Sequence, residues 1–372
     1  MIAAKPLAIV LPHREAYQVN GAGAVVSCIR DMAAHSRYRE WLVVLGDPVA
    51  EPFAEPPFIP VEKAPWFYGR QTARYREGMA RALHAMQPAL AEVHNRPYYI
   101  ERLKKSLPHT PLILYFHNDP HKMRGFMRLA DRVRIMRHVS AAVCVSDYIR
   151  RRLLEGMDAS VSDKAHVVLN GVDTTTVLPV TGRPRRKEIL FVGRLIPEKG
   201  ALLFAQAALK AQARLPGWRF VMIGALAFRN EAQPQHPYEK QVIAAMQQLG
   251  AHGEMTGYLP RRAALDRFAE AAIAVIPSLW EDPCPLAAIE AMSSGCAVIA
   301  TRRGGLPEIL GDTALFIERD DPELLAERMV QLASDEHALA GWQSQARERA
   351  VQALDIRRAS VQLDDVRQQL LV

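Results

Sequence analysis

Four charged residues in two fragments are the most legible chemistry in this chain. Arg194 and Lys199 stand in FVGRLIPEKG, residues 191–200. Asp282 and Glu290 stand in PSLWEDPCPLAAIEAMSSGCAVIATRRGGLPEIL, residues 277–310. Each fragment is a short apolar run that breaks into Gly, Pro and charged residues and then enters a helical pattern. In an open α/β sheet, ligands sit outside the carboxyl ends of the strands, so such breaks deliver polar groups to a ligand. Fixed cations beside a helix start suit a diphosphate. A carboxylate set among small residues, as Glu290 is, suits hydroxyl groups that donate to it. An anion joined to a polyol describes a nucleotide-sugar.

The rest of the chain must supply strands that end at these breaks. With 372 residues, 49% of them hydrophobic, the chain is long enough for two or three domains, each with a core. Residues 7–12, 41–46, 89–95, 112–118, 141–146 and 166–170 read as buried strands, with helical patterns at 24–34, 98–105 and 147–154. Residues 174–187 break the periodicity with Pro, Gly and a basic cluster and read as an interdomain linker. A second series follows, with strands at 188–193, 219–224, 253–259, 272–277, 296–301 and 313–318 and closing helices at 323–334, 336–353 and 356–371. Such alternation predicts parallel sheets covered by helices. Residues 47–65, rich in Pro and acids, read as a surface loop.

No run approaches the roughly 18–20 apolar residues of a membrane span. The short apolar run near the N-terminus reads as the first strand, not as a signal-peptide core. Cys28, Cys144, Cys284 and Cys296 show no CxxC spacing and read as small buried hydrophobes in a reducing compartment. Charge is one-sided: residues 1–180 hold 24 Lys and Arg against 17 Asp and Glu, while residues 181–372 hold 23 of each. An anionic partner is therefore expected for the first half. Without a recognition motif, basic charge gives no reason to expect nucleic acid.

Taken together, GR-x-x-x-EKG at 193–200, the acidic-x7-Glu pair of Asp282 and Glu290, EAM-x-x-G at 290–295, GG-x-PE at 304–308 and VLNGVD at 168–173 resemble the retaining glycosyltransferases of family 4. The resemblance covers essentially the whole chain. It implies an α/β chain of two Rossmann-like parallel-sheet domains facing a central cleft, the GT-B architecture. Residues 1–178 would form the acceptor-side domain, residues 179–355 the nucleotide-sugar-binding domain, and residues 356–372 a helix crossing back to the first. It also implies metal-independent, retaining hexosyl transfer without a cofactor, the nucleotide-sugar being a substrate. Arg194 and Lys199 would grip the donor diphosphate, where charge grows in the transition state. Glu290 would bind the ribose hydroxyls. His117 and Asp282 are the implied catalytic residues near the donor sugar, with Cys284, Pro285 and Leu286 in the turn beside it. The middle of the first domain, and NDPHKMRGF at 118–126, resemble lipopolysaccharide-core and surface-polysaccharide transferases. That implies a lipid-linked or lipopolysaccharide-type acceptor, with UDP-GlcNAc or UDP-glucose favoured as donor and GDP-mannose next.

Several positions depart from the family pattern or admit two uses. Asp282 is one carbon shorter than Glu, which sets its carboxylate back by about 1.5 Å; Glu281 would shift the spacing by one residue. Pro283-Cys284-Pro285 replaces a Gly-Phe-Gly-like run, and Pro offers no N–H to sugar hydroxyls. These departures leave the donor sugar open and keep a second class, a nucleotide-sugar epimerase or a non-catalytic sugar-binding protein on the same scaffold. His117 ends the strand in LYFHND, where it would support positive charge through its carbonyl or share a proton. With Asp119 and His121 it also forms H-x-D-x-H, a metal pattern that Pro120 interrupts and that lacks a fourth ligand. Gly21 and Gly23, in VNGAGAVV, open a helix without the third glycine of a dinucleotide fingerprint. They serve a donor phosphate, the acceptor, or a plain tight turn. Residues 122–137 carry Lys122, Arg124, Arg128, Arg132, Arg134 and Arg137, with Met123, Phe126, Met127, Ala130 and Val133 at helical spacing. That describes a basic amphipathic helix on an anionic membrane, or a solvated face over an ordinary core. Arg150, Arg151 and Arg152 add a second cluster. A cytoplasmic protein is expected, and on the membrane reading it is peripheral at the inner face of the cytoplasmic membrane.

Overall fold

A computed structural model describes residues 5–19, 22–226 and 236–371. The chain divides into two compact units, Met1–Gly171 with Ile356–Val372, and Val172–Asp355.

The first unit holds strands β1 (Leu7–Val10), β2 (Leu42–Gly46), β3 (Phe58–Pro60), β4 (Leu90–His94), β5 (Leu112–Phe116), β6 (Ala141–Cys144) and β7 (Ala165–Val167). They form one parallel sheet in the order β3-β2-β1-β4-β5-β6-β7. Parallel neighbours need crossover connections, which α1 (Ala24–Ala34), α2 (Gln71–Met86), α3 (Ile100–Ser106), α4 (Leu129–Met136) and α5 (Asp147–Leu154) provide. β1, β4, β5 and β6 are buried along their whole length, which is why they read as continuous apolar runs. β3 lies in the stretch expected to be loop. It is a three-residue edge strand ended by Pro60, too short to show a period and in the position where a sheet tolerates Pro.

One residue of β4 breaks the apolar rule. Glu92 is 1% exposed in a central strand, opposite Ile9 and Ile113. A carboxylate there needs a partner. Arg367, on α13 (Ile356–Leu370), grips it with Nε 2.5 Å from Oε1 and Nη2 3.0 Å from Oε2. Arg367 Nη1 also donates to Asp364 Oδ1 at 2.8 Å and to Ser36 Oγ at 3.1 Å. The C-terminal helix is thus locked to the first unit by buried charge, and α13 packs on α1, with Ser360 Oγ donating to the Met32 carbonyl.

The second unit repeats the design with β8 (Arg186–Val192), β9 (Arg219–Ile223), β10 (Gly253–Gly257), β11 (Ala271–Ile276), β12 (Ala297–Thr301) and β13 (Ala314–Ile317). All are parallel, in the order β10-β9-β8-β11-β12-β13. Its helices are α6 (Ala201–Ala211), α7 (Pro237–Gln247), α8 (Arg261–Glu270), α9 (Leu286–Ser293), α10 (Leu306–Leu310), α11 (Pro322–Ala333) and α12 (Glu336–Ala353). α6 buries five alanines along with Leu203 and Phe204. The small side chains let it lie close to α7 and α11, while Phe204 packs on Phe191 with ring centroids 5.7 Å apart. A fully buried Phe such as this one contributes roughly 2–3 kcal/mol. Residues 172–177 belong to this unit: Arg347 donates to the carbonyls of Thr174 and Val177, and Val172 N donates to Leu354 O.

Both sheets reverse strand order at one place, between β1 and β4 and between β8 and β11. Ligands in open α/β sheets bind at the carboxyl ends beside such a switch point. Among the described residues, no helix is long and apolar enough to cross a membrane.

Candidate active site

The second unit's switch point carries the fragments singled out in the sequence. After β8, residues 197–199 make one tight turn before α6. Gly200 closes that turn at φ 72°, and a Cβ there would stand 1.9 Å from the Pro277 carbonyl oxygen. Only glycine allows this approach. Leu279 N donates to Glu198 O at 2.9 Å, joining the break after β8 to the break after β11. The result places Lys199 Nζ 2.5 Å from Asp282 Oδ2 and 5.5 Å from the Trp280 ring centroid. Asp282 is 4% exposed, and the Lys199 side chain keeps about a quarter of its surface in solvent. An ammonium has three donors, so the pair leaves Lys199 able to hold an incoming anion. Arg194 sits on the same break, exposed.

Glu290 lies one turn into α9 and is 8% exposed. Pro285 is the N-cap without a side-chain cap bond, Leu286 opens the helix, and Cys284 is buried behind them. Glu290 Oε1 accepts from Arg261 Nε at 2.8 Å. Arg261 went unnoticed in the sequence. It opens α8 behind Pro260, a loop with no motif of its own. The adjacent acids Glu281 and Asp282 have separate duties. Glu281 Oε2 accepts from Gly304 N at 2.5 Å, and the Asp282 carbonyl accepts from Gly305 N at 2.8 Å. Gly304, at φ 56°, brings the Gly-Gly loop within 2.3 Å of the Asp282 carbonyl for a would-be Cβ. That loop therefore braces the Asp282 turn.

In the first unit, His117 follows β5 and is 8% exposed. Its backbone N donates to Asn95 Oδ1 at 2.8 Å, and its Nε2 lies 2.9 Å from Nδ1 of His94, the last residue of β4. Neither His94 nor Asn95 was read as functional. The available signal was HN repeated at the ends of two strands, EVHN and YFHN. The metal alternative at H-x-D-x-H does not assemble. Asp119 Oδ1 accepts from His121 N at 2.9 Å and lies 3.5 Å from Arg152 Nε, so its carboxylate caps a turn. Among the described residues, no group of three or more His, Cys, Asp or Glu is placed to hold a metal ion. Gly21 lies outside the described residues. Gly23 is the N-cap of α1, and a Cβ there would stand 2.7 Å from Glu15 Oε1. A carboxyl group thus stands close to this helix start, where an anion was expected, and its burial pushes the Glu15 pKa up against the pull of Arg96.

The continuous amphipathic helix expected over residues 122–137 is corrected. Only Leu129–Met136 is α-helical, after a run of turns. Arg132 is 4% exposed and donates to the carbonyls of Met127 and Glu155, so it holds the fold together. Met123 and Phe126 are buried, whereas Met127 and Leu129 are exposed beside exposed Arg124 and Arg128. Arg150 pairs with Asp147, and Arg152 with Glu155.

Residues 178–349 match the family model for glycosyl transferases group 1, and residues 19–176 match that for glycosyltransferase family 4. The chain belongs to glycosyltransferase family 4. This family 4 chain is 26% identical to the putative glycosyltransferase YtcC of Bacillus subtilis, over 80% of its own length and 76% of that relative's. It is 23% identical to the lipopolysaccharide 1,2-N-acetylglucosaminetransferase of Salmonella typhimurium, over 59% and 56% of the two chains. Sucrose-phosphate synthase of Thermosynechococcus elongatus shares its GT-B fold with a TM-score of 0.78 at 18% identity, covering 98% of this chain and 99% of that one. Anabaena HepE in complex with UDP-glucose does so with a TM-score of 0.77 at 16% identity and the same coverage. As a family 4 member, the chain is a hexosyltransferase.

Proposed function

We propose that this transferase moves a hexose, with retention of anomeric configuration, from a nucleoside-diphosphate sugar to a lipopolysaccharide-core or related surface-glycan acceptor. The single observation that carries the donor half is the Lys199–Asp282 contact at the β8/β11 switch point, where a part-exposed cation is aimed by a buried carboxylate. The donor diphosphate takes the free hydrogens of Lys199 together with Arg194. As the sugar departs, charge on the diphosphate grows, and cations already in place stabilise that charge without reorganising. Glu290 accepts the ribose hydroxyls and is steadied by Arg261. Asp282 and the Cys284-Pro285-Leu286 turn border the donor sugar, and His117 is the other residue taken to act in catalysis. UDP-glucose and UDP-GlcNAc are favoured over GDP-mannose. HepE, which shares the fold, binds UDP-glucose, and a relative transfers N-acetylglucosamine to lipopolysaccharide.

The acceptor side belongs to the basic first unit. Met127 and Leu129, flanked by Arg124 and Arg128, present an apolar and cationic patch suited to an anionic bilayer at the cytoplasmic face. The variant Arg124→Ser/Met127→Ser/Arg128→Ser should lose most co-sedimentation with vesicles containing anionic lipid and keep its melting temperature. Unchanged sedimentation would leave a merely solvated face.

The reaction itself is tested by proton NMR of donor turnover. UDP-glucose, UDP-GlcNAc and GDP-mannose are each incubated with enzyme, and the first-formed anomer is read. Release of the α-anomer from one α-linked donor is expected. First release of the β-anomer, or an epimerised nucleotide-sugar, would overturn the reading.

A further inference from the structure

β4 and β5 place three rings together. His94 pairs with Tyr115 across the strands, and their ring centroids are 4.9 Å apart, while Tyr115 and His117 stack at 4.5 Å. Asn95, at φ 52°, turns the chain as β4 ends, accepts from His117 N, and donates its own N–H to Tyr115 O at 2.8 Å. The His117 ring is therefore fixed in position by its backbone as well as by stacking. Burial pushes His94 down to about 3, with the Arg367 cation adding to it. Burial, then His94, hold His117 well below its ordinary value. Both rings are neutral at working pH, and each carries one N–H.

The 2.9 Å contact between His94 Nδ1 and His117 Nε2 requires one proton between the two nitrogens. If His94 supplied it, His94 Nε2 would be a bare lone pair. That nitrogen is buried without a hydrogen-bond partner and lies 3.9 Å from Glu92 Oε2. The Glu92 carboxylate accepts two hydrogen bonds from the Arg367 guanidinium. A lone pair facing a carboxylate in a dry interior is repelled, whereas an N–H there is attracted. The proton of His94 therefore belongs on Nε2, and the shared proton belongs to His117.

We propose that His94 is a positioning residue that sets the tautomer of His117. Glu92 keeps the His94 proton on Nε2, His94 Nδ1 accepts from His117 Nε2–H, and His117 keeps a bare Nδ1 as an acceptor for substrate. The last step rests on the place given to His117 in the proposed function; the tautomer does not. Arg367 extends this control to α13, so the C-terminal helix fixes the chemical form of a side chain at the end of β5.

The test is ¹⁵N NMR of histidine-labelled enzyme, with tautomers assigned from ring-nitrogen shifts. His117 should be protonated at Nε2 and bare at Nδ1. A wild-type His117 protonated at Nδ1 overturns the proposal outright and needs no variant to fold. His94→Phe keeps the stack on Tyr115 but removes the acceptor. It should erase the tautomer preference and lower kcat for donor turnover by roughly tenfold or more, with KM for the donor nearly unchanged. His94→Gln restores an acceptor and should recover the tautomer and most of kcat. If His94→Phe keeps the His117 tautomer, His94 does not set it. If the tautomer is lost with kcat intact, His94 has no positioning role in transfer. Failure of the transferase reading looks different: no donor turns over in any variant, while the tautomer pattern stands.

Discussion

Lys199→Ala is expected to lower kcat/KM for donor turnover by about 10²–10³-fold, the usual loss when one preorganised group that stabilises developing charge is removed. The same change also strips the counter-ion from Asp282, which is 4% exposed with Ser278 Oγ 3.5 Å from its carboxylate. Lys199 is part-exposed, so the stability loss should fall between that of a surface pair and a buried one, roughly 2 kcal/mol. Two effects would then be mixed in one variant. Lys199→Ala/Asp282→Asn separates them, because a neutral amide at 282 no longer needs a cation. The double variant should regain most of the lost melting temperature and none of the lost activity. An active Lys199→Ala enzyme would remove the diphosphate from this turn. Recovery of activity in the double variant would make the pair a structural one.

The largest stability effect is expected at Arg367→Met. Arg367 is 1% exposed and holds two carboxylates that are each also 1% exposed. Burial opposes its charge, yet Glu92 and then Asp364 raise its pKa. Removing one partner of a buried ion pair costs about 3–5 kcal/mol, since the other charge stays behind without compensation. Against a typical folding stability of about 5–15 kcal/mol, that change should move the denaturant midpoint far down. Glu92→Met/Arg367→Met should recover most of the loss. Asp364 would still accept from Ser36 Oγ and Arg37 N, each at 2.7 Å. A loss below about 1 kcal/mol in the single variant, read from urea unfolding, would contradict the buried network.

The two-sheet fold was legible because parallel strands buried on both faces read as continuous apolar runs. β8 and β11, with their charged breaks, were plain for that reason. β3 was not, since three residues ending in Pro60 show no period. The helical spacing across 122–137 misled because buried Met123 and Phe126 mimic a helix face while lying in turns. Charge alone also misplaced Arg132, whose guanidinium is consumed by two backbone carbonyls. In the site, Lys199 and Asp282 carried motif signals, and the structure brings them together. Arg261 and His94 did not, because each acts through a neighbour distant in sequence. Arg261 meets Glu290 from another helix, and His94 meets His117 across a strand pair. Contacts of that kind exist only after folding.

The measurement that bears most directly on the central claim is the melting temperature of the purified protein with UDP, GDP, ADP and their sugars, with and without EDTA. A ligand bound only by the native state, at a concentration of 100 Kd, adds about 2.7 kcal/mol to stability. The account predicts stabilisation by UDP and a UDP-sugar that survives EDTA and is lost in Lys199→Ala/Asp282→Asn. No stabilisation by any nucleotide, or stabilisation that the double variant keeps in full, would contradict a diphosphate site built on Lys199.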